Sequence, residues 1–596
     1  MVTLHGNVHP LARPEFDQGI TNPATRLDRM LLVLNSSPAQ TSDLAALVAA
    51  QQDPDSPLYH QWLTPGEFGA RFGASDADLA QVTAWLEAQG FTIDEVYAGR
   101  RLVTFSGSAA QVAAAFRTTL HIYRANGIDH LANSSDPQIP VGLSGLVAGV
   151  VSLHDFRRTS QMRTLAPLDA QPDYSAGATH YLFPADFATI YNLNPLFIAG
   201  TDGAGTSIAI AARSNIKLSD IESFRSMAGL PANDPTVTLD GADAGLVSRD
   251  QDESTLDTEW SGAIAPAAAV NLVVAASTAT ADGIDLAAAY IVNHAVVPVV
   301  SVSYGSCEQN MGAAELAFYN SLWEQAASQG MSVFVASGDA GEAGCSAPTA
   351  IAGSETAVNG LCTSPYATCV GGTEFNEGAN PSQYWSPENS AGYASALSYI
   401  PEEVWNESSS NGGTGLWASG GGASTVYAQP AWQSNIDGAT AANGMRAVPD
   451  VALAAADHDG YFVAEDGSFW IASGTSASAP SFAGIMALVV ESQLGTPQGN
   501  ANPRLYALAS AAGDPFHATP SGDNAVPGVA GFSATGATYN LATGLGSVDA
   551  ASLVQAWSTA SQEIPLPRPI RCSRFGPLPA RCLPIPRLPI RLLGRP

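Results

Sequence analysis

The sequence predicts an α/β domain with a mainly parallel sheet flanked by helices, preceded by a smaller α+β domain. From about Tyr181 onward, apolar runs of strand length alternate with segments of helical periodicity. This alternation is typical of a parallel sheet covered by helices on both faces. The first 160 or so residues lack that regularity and contain no recognisable set of catalytic residues. The chemistry is therefore expected in the second domain.

Composition limits the classes of function. The chain has 596 residues, 46% of them apolar, which is enough for several packed domains. Its 54 acidic residues outnumber 24 basic ones, giving a formal net charge of −30. Such a surface repels nucleic acid and anionic membranes, and its self-repulsion weakens in acid as carboxylates gain protons. The charge fits an acidic working environment and, equally, an acidic surface that keeps the protein soluble at neutral pH.

Cysteine usage and the chain start bear on the compartment. Four cysteines lie in the α/β region and two in the tail, at positions 307, 345, 362, 369, 572 and 582. The first four are compatible with two disulfides whose pairing the sequence leaves open. No run is long and apolar enough to span a membrane. Residues 1–6 have no secretory pattern, so we expect either another export route or an incomplete start.

The front domain should contain three helices separated by strands. Helical periodicity marks one helix around Leu44 to Val48 and two more at 76–90 and 108–118, with strand patterns at 92–96 and 101–105. Without catalytic residues, this domain is either a binding module or a propeptide. Residues 159–179 then mix small polar residues with Pro and Gly, which predicts an exposed linker open to proteolysis.

The α/β region should alternate strands with helices. Strands are predicted at 207–211, 270–275, 299–304 and 332–337, and helices at 219–230, 285–293 and 313–329. In such sheets the reactive groups collect at the carboxyl ends of the strands. After about residue 561 the chain becomes rich in Pro and Arg, which predicts a disordered tail. This tail is an anchoring appendage, a cleaved extension or a reading-frame artefact.

The stretch 473–480, Ser-Gly-Thr-Ser-Ala-Ser-Ala-Pro, is the strongest candidate for chemistry. It follows a predicted hairpin at 461–472 and precedes a run with helical spacing, with Pro480 expected in the first helical turn. A serine at a helix N-terminus has free backbone N–H groups beside it that suit an oxyanion. Ser476 could therefore perform acyl transfer, although a stretch of this kind taken alone is more often only a capping loop.

Three carboxylates complete the candidate set. Glu253 and Asp257 are spaced i, i+4, so on a helix they share one face and can share a proton. Asp339 follows a predicted strand, at the edge where functional groups collect. Taken singly, the pair reads as an ordinary acidic helix surface and Asp339 as a turn residue.

Together these motifs resemble the sedolisins, the serine-carboxyl peptidases of the kumamolisin type, over nearly the whole chain. The matching stretches are 473–480, the acidic pair with Glu259, 337–339, the Val-Pro-Asp-Val-Ala run at 448–452, and 59–68 in the front domain. The resemblance implies a subtilisin-like catalytic domain at 181–560, an activation propeptide at 1–158, a linker with the processing site at 159–180, and a tail at 561–596.

The resemblance also implies roles and partners. Ser476 is the expected nucleophile, Glu253 its general base, Asp257 the partner of Glu253, and Asp339 an oxyanion donor when protonated. The expected protein is a secreted, self-processing, acid-acting endopeptidase, monomeric, with protein or peptide substrates and its own propeptide as inhibitor. No nucleic-acid partner and no membrane span are expected.

Two alternatives remain open at this stage. Subtilisin shares the fold and the serine motif but needs a histidine base in a His-Gly pair, and the only such pair is His5-Gly6, outside the α/β region. The second alternative is an inactive, sedolisin-like binding or surface protein, against which the complete set of four candidate residues argues. Hydrolysis of a denatured protein at low pH separates these possibilities.

One departure from the family concerns metal. Sedolisins usually bind a calcium ion through two aspartates and backbone carbonyls near the C-terminal end of the catalytic domain. The matching positions here carry Ala518 and Asn540. Since calcium affinity depends strongly on ligand charge, we expect no tightly bound calcium, no other cofactor, and packing of the loop 513–539 in place of the metal. Asp514 or Asp523 could compensate through a shifted loop.

Overall fold

The computed structural model describes residues 1–151, 153–164, 175–176, 179–294, 297–390 and 392–559. The predicted tail, with Cys572 and Cys582, and the middle of the predicted linker lie outside the described residues.

The front unit is built on two antiparallel sheets. One has four strands in the order Thr92–Val96, Leu102–Ser108, Arg26–Leu34 and Val147–Val151, and the other has the strands Asp17–Ile20, Leu120–Ala125 and Ile128–Asn133. Its helices are Pro38–Gln52, Pro65–Phe72, Asp76–Ala88 and Ala109–Phe116. The Ser37, Thr64, Ser75 and Ser108 side chains cap these helices by accepting backbone N–H groups of the first turn. The predicted α+β pattern of this unit is confirmed.

The second unit is organised around an eight-stranded, mainly parallel sheet. Seven strands follow the order Thr236–Leu239, Ala269–Val274, Ser207–Ala212, Val299–Val302, Ser332–Ala336, Thr368–Phe375 and Glu402–Val404, and Val451–Ala454 also pairs with Thr368–Phe375. Only Glu402–Val404 runs antiparallel to its neighbour. Alternate residues of the strands enter separate cores: Ile208 and Ile210 pack on one face, Ala209 and Ala211 on the other. The predicted parallel sheet with helices on both faces is confirmed.

Helices cover both faces of this sheet. They are Pro184–Ile190, Asn194–Ala199, Leu218–Met227, Asp250–Ile264, Gly283–His294, Glu308–Ser328, Thr475–Ser492, Asn502–Ala509 and Ala550–Thr559. The helix predicted to begin at Ala313 has an additional turn that starts at Glu308. Gly312, with a φ of 65°, interrupts the helix at that point, which explains why the sequence pattern began after it.

The Thr475–Ser492 helix, here called the nucleophile helix, is apolar all round and buried from Thr475 to Val490. It packs against the helix Asp250–Ile264, here called the acidic helix, and against the central strands. The hairpin predicted before it is confirmed as Tyr461–Glu465 and Ser468–Ser473. This packing brings the carboxylates of the acidic helix to the N-terminus of the nucleophile helix.

Two disulfides cross-link the second unit. Cys307, just before the helix Glu308–Ser328, is joined to Cys345, and Cys362 is joined to Cys369 in the strand Thr368–Phe375. The sequence left this pairing open, and the fold decides it by bringing each pair of cysteines together.

The front unit is held to the second unit by buried ion pairs. Arg29 contacts Asp240 at 2.7 Å, and Arg158 contacts Glu315 at 2.9 Å and Asp285 at 3.1 Å. In a chain with few cations, these arginines neutralise acids of the second unit that would otherwise repel each other.

Candidate active site

Ser476 lies in the first turn of the nucleophile helix and is fully buried. Its Oγ donates to the Ser303 carbonyl at 3.1 Å, and its backbone N–H donates to the Gln161 carbonyl at 2.9 Å. The turn before it requires glycine, because Gly474 has a φ of 102° and an added Cβ would lie 2.4 Å from Asp339 Oδ2. The strand-to-helix turn expected from the sequence is therefore present, with a backbone N–H aimed at a carbonyl oxygen.

Pro480 lies inside the nucleophile helix, so its predicted place in the first turn is wrong. Proline has no N–H to bond the carbonyl of the residue four positions earlier, which here is Ser476. The Ser303 hydroxyl approaches that carbonyl at 3.4 Å instead. Pro480 thus leaves the backbone of Ser476 open to contacts from the neighbouring strand end.

Glu253 and Asp257 lie on the acidic helix and are buried, although their spacing also fitted an exposed face. Ser160 Oγ donates to Glu253, and Ser303 Oγ donates to Asp257 Oδ1 at 2.6 Å. Burial raises the pKa of Glu253 well above its ordinary value and the charge of Asp257 adds to this, while the hydroxyls of Ser160 and Ser476 act in the opposite direction. Burial likewise raises the pKa of Asp257. Two carboxyls this deeply buried favour sharing a proton.

Asp339 lies just past the strand Ser332–Ala336, on the other side of Ser476. Its Oδ1 accepts the backbone N–H of Thr475 at 2.8 Å and the Thr475 hydroxyl at 2.9 Å. Burial raises the pKa of Asp339 to about 8, so this carboxyl is neutral in acid. Its buried Oδ2 and the Gln161 carbonyl oxygen both approach Gly474, where an added Cβ would lie 2.4 and 2.7 Å from them. Asp339 Oδ2 has no hydrogen-bond partner among the residues that the structure describes, so a protonated Asp339 has an unused donor at the same turn as that carbonyl.

A short piece of the predicted linker, 159–163, here called the cleft segment, runs between these groups. Thr159 and Ser160 pair antiparallel with Gly305 and Tyr304 on one side of Ser476, and Arg163 pairs with Ser473 on the other. The Gln161 N–H donates to the Ser303 carbonyl at 3.1 Å. An extended peptide lying across a serine in this way has the arrangement of a bound substrate.

The four predicted site residues are thus brought together from three separate parts of the chain. The sequence reasoning did not identify Ser160, Gln161, Ser303 or Thr475, which complete the site. Ser303 follows the strand Val299–Val302, so its place at a strand end was a usable signal. Ser160 and Gln161 had none, because only the tertiary fold brings the linker into the cleft.

The residues at the position of the family's calcium site do not fit a calcium ion. Asn540 Oδ1 accepts the N–H groups of Ala542 and Thr543, each at 2.9 Å, and Asn540 Nδ2 donates to Thr543 Oγ1 at 2.8 Å. The amide oxygen is thus already occupied and a donor stands where a second oxygen ligand is needed, while Ala518 has no ligand atom.

Within the described ranges, no group of three or more His, Cys, Asp or Glu side chains could hold a metal ion. A search of the same residues finds no helix with the length and apolar character of a membrane span.

Comparisons with known proteins agree with this geometry. The family described as "Pro-kumamolisin, activation domain" matches residues 17–156. Kumamolisin from Bacillus sp. (strain MN-32) is 30% identical over 520 residues, covering 84% of this chain and 86% of that protein. Sedolisin from Pseudomonas sp. (strain 101) is 29% identical over 524 residues, covering 86% and 84%. The solved structure of Pseudomonas sedolisin, a serine-carboxyl proteinase complexed with two molecules of pseudo-iodotyrostatin, is 28% identical with a TM-score of 0.55, covering 65% of this chain and 100% of that one.

Proposed function

This chain belongs to the sedolisin family of serine-carboxyl peptidases, and we propose that it is an acid-acting endopeptidase made as a zymogen that processes itself. The observation that carries the proposal is the position of the Gln161 carbonyl. Its oxygen accepts the N–H of Ser476 and approaches Gly474, as the Asp339 carboxyl also does, with Glu253 next to the Ser476 hydroxyl. The bond between Gln161 and Met162 is thereby presented as a scissile peptide bond.

The first chemical step forms an acyl-enzyme. Ser476 Oγ bonds to the carbonyl carbon while Glu253 accepts its proton, and the carbonyl electron pair moves onto the oxygen. The Ser476 N–H and protonated Asp339 donate to that oxyanion. When the intermediate collapses, the C–N bond breaks and the departing amine takes the proton from Glu253. Water then repeats the sequence with Glu253 as base and releases the acyl group from Ser476.

Asp257 acts through Glu253. One proton shared by the two carboxyls keeps a single negative charge in the pair, which lets Glu253 serve as a base despite its burial. Ser303 Oγ orients Asp257 through the 2.6 Å hydrogen bond.

The front unit is proposed to be the inhibitor as well as the propeptide. It continues into the cleft segment, which fills the site and excludes other peptides. Although burial acts to raise it, Arg158 and His154 hold the pKa of Glu315 below its ordinary value. Acidification protonates Glu315 and so weakens the hold of the second unit on Arg158, next to the cleft segment. The front unit is therefore released from the second unit in acid. Asp339 is protonated under the same conditions, as catalysis requires.

Self-processing is tested by acidifying the purified full-length protein and measuring intact masses over time. We expect an early front fragment that ends at Gln161 and a companion that begins at Met162. Ser476→Ala and Glu253→Gln proteins should keep the wild-type circular dichroism spectrum, remain full length and leave a denatured protein substrate uncut. A wild-type protein that hydrolyses substrate while still carrying Met1, or an active Ser476→Ala variant, would overturn the proposal.

Export to an oxidising compartment and a monomeric state are part of the same proposal. The disulfides Cys307–Cys345 and Cys362–Cys369 support the first, because such bonds persist mainly outside the cytosol. Mass measurement of the protein recovered from culture medium, before and after reduction, checks the compartment. Light scattering checks the oligomeric state.

A further inference from the structure

Arg163 lies two residues after Gln161, on the side of the cleft that binds the leaving half of a substrate. Its backbone pairs with Ser473, the residue that ends the strand before the nucleophile turn. Its guanidinium forms an ion pair with Asp457 and lies over the Trp417 ring, 5.1 Å from the ring centre. The Arg163 side chain therefore has a cation-binding site of its own beside the catalytic groups.

Asp457 is fixed by contacts that do not involve Arg163. The Ser473 hydroxyl donates to its Oδ1, and its backbone N–H donates to Glu407 Oε2 at 2.8 Å. Glu407 is held in turn by the Trp405 indole N–H at 3.0 Å and by the His458 ring at 2.8 Å. Ser473 also pairs with the backbone of Arg163. The Asp457 carboxylate and the side chain of any residue that takes the place of Arg163 are therefore held in a fixed position relative to each other.

A cavity of about 390 Å³ lies beside Arg163, which forms part of its wall. Acidic and amide groups dominate its lining, which includes Glu374, Asn406, Glu407, Asp457 and His458. His458 supplies a positive charge, but the ion pair with Glu407 at 2.8 Å neutralises it. At pH values above the raised pKa of Asp457, about 6, the remaining field is negative, which favours a cationic side chain and opposes an acidic one.

We propose that Asp457 and Trp417, at the edge of this cavity, form the substrate subsite for the second residue after the scissile bond and make it select arginine. The inference rests on the proposed function, because it takes the cleft segment as a substrate in its productive position. Arginine is favoured over lysine, since its planar guanidinium stacks on an indole ring while also bonding a carboxylate. In protein substrates, the enzyme would then preferentially cleave peptide bonds for which the second residue after the bond is an arginine.

The test uses fluorogenic peptides that match residues 157–166 and differ only at the position of Arg163, which carries Arg, Lys, Gln or Glu. For the mature wild-type enzyme at pH 6.5, where most of Asp457 is ionised, we expect kcat/KM to fall in that order, with Arg about tenfold or more above Gln, the ratio that a contact of about 1.4 kcal/mol produces. Asp457→Asn should bring the ratio of Arg to Gln close to one. Trp417→Leu should bring the ratio of Arg to Lys close to one.

The matched control is Glu388→Gln, which removes an exposed acid that does not line the cavity and should keep all the wild-type ratios. The preference should also weaken as pH falls through about 6. Burial raises the pKa of Asp457 to about 6, the charge of Glu407 adds to this, and Ser473, Arg163 and His458 oppose it.

Failures of the two proposals are distinguishable. Hydrolysis of no peptide at any pH would refute the peptidase itself. Hydrolysis of all four by the wild-type enzyme at similar kcat/KM, or an unchanged ratio of Arg to Gln in a folded Asp457→Asn enzyme, would overturn the subsite alone. The wild-type series is decisive even if a variant does not fold.

Discussion

At the scale of single residues, Asp339 is the proposed oxyanion donor because a neutral carboxyl can donate a hydrogen bond and a carboxylate cannot. Burial raises its pKa to about 8, so this carboxyl is neutral in acid, and its Oδ2 approaches the same glycine, Gly474, as the Gln161 carbonyl oxygen. We expect Asp339→Ala to lower kcat by about 10²- to 10³-fold, the usual effect of losing one oxyanion donor. Asp339→Asn keeps the shape and a neutral N–H donor, so its loss should be smaller. Steady-state kinetics on one peptide compares the two variants.

A control for this pair is Asp186→Asn, which changes another buried aspartate whose pKa burial raises, to about 6, but which contacts Phe183, Ser395 and Ala396 instead of the cleft. It should retain most of the activity. If Asp339→Ala retains wild-type kcat, Asp339 has no part in oxyanion stabilisation.

At the scale of elements, we expect the acidic helix to determine the dependence of activity on pH. It buries Glu253 and Asp257, which in the proposed mechanism function with one shared proton, so kcat/KM should be bell-shaped. Loss of the cleft segment should admit water and lower both pKa values from those of the closed zymogen. The optimum of the mature enzyme should therefore be acidic, with activity disappearing towards neutrality as the pair loses its proton. The pKa of Asp339 is about 8, so loss of the Asp339 proton does not cause this fall in activity between acidic and neutral pH.

The variant that tests this pair is Asp257→Asn, which removes the neighbouring negative charge. The variant has no shared proton to lose, so the neutral limb of the pH–rate profile should move or disappear while the rate drops, and the acidic limb should stay near its wild-type position. An optimum at pH 7 or above in the wild-type enzyme, or an unmoved neutral limb in the variant, would contradict the shared-proton pair.

At the scale of the whole molecule, buried acids should make the fold more stable in acid. Burial raises the pKa of Asp186 to about 6, of Glu374 to about 7 and of Asp339 to about 8. Such groups bind protons more tightly in the folded state, so their stabilising contribution is complete below the ordinary carboxyl pKa near 4 and is lost as pH rises to 8. Glu315, whose pKa is lowered, acts oppositely and loses its contribution as pH falls below about 4.

We therefore expect the Ser476→Ala zymogen, which cannot digest itself, to melt at a higher temperature at pH 5 than at pH 8.5. Differential scanning calorimetry at constant ionic strength measures this. A melting temperature that is flat or that rises with pH would mean that these buried acids are ionised in the fold.

Calcium should contribute nothing to the stability of the whole molecule. Asn540 and Thr543 form a closed hydrogen-bonded loop where the family places metal ligands. Metal analysis of the purified protein should detect no stoichiometric calcium, and the melting temperature should not change with chelator. One calcium per chain, or a large loss of thermal stability on chelation, would show that other oxygens such as those of Asp514 or Asp523 bind the ion.

The sequence by itself determined the elements and the choice of candidate reacting groups. Apolar periodicity specified the parallel strands and the buried nucleophile helix because these patterns are local, covering one turn or one strand at a time. The i, i+4 spacing of Glu253 and Asp257 likewise placed them on one helical face. Ser476 and Asp339 were found through motifs whose residues are adjacent in the chain. The same local reasoning failed at Pro480, where packing extended the helix backwards.

Only the tertiary structure decided what surrounds those groups. The pairing of the cysteines, the burial that raises the pKa values of Glu253, Asp257 and Asp339, and the passage of Gln161 over Ser476 all depend on contacts between distant segments. No local pattern records these contacts, because the partners share neither a strand nor a helix. The site for Arg163 is of the same kind: Asp457 and Trp417 read as ordinary residues in sequence, and become a subsite only where the cleft segment crosses the sheet edge.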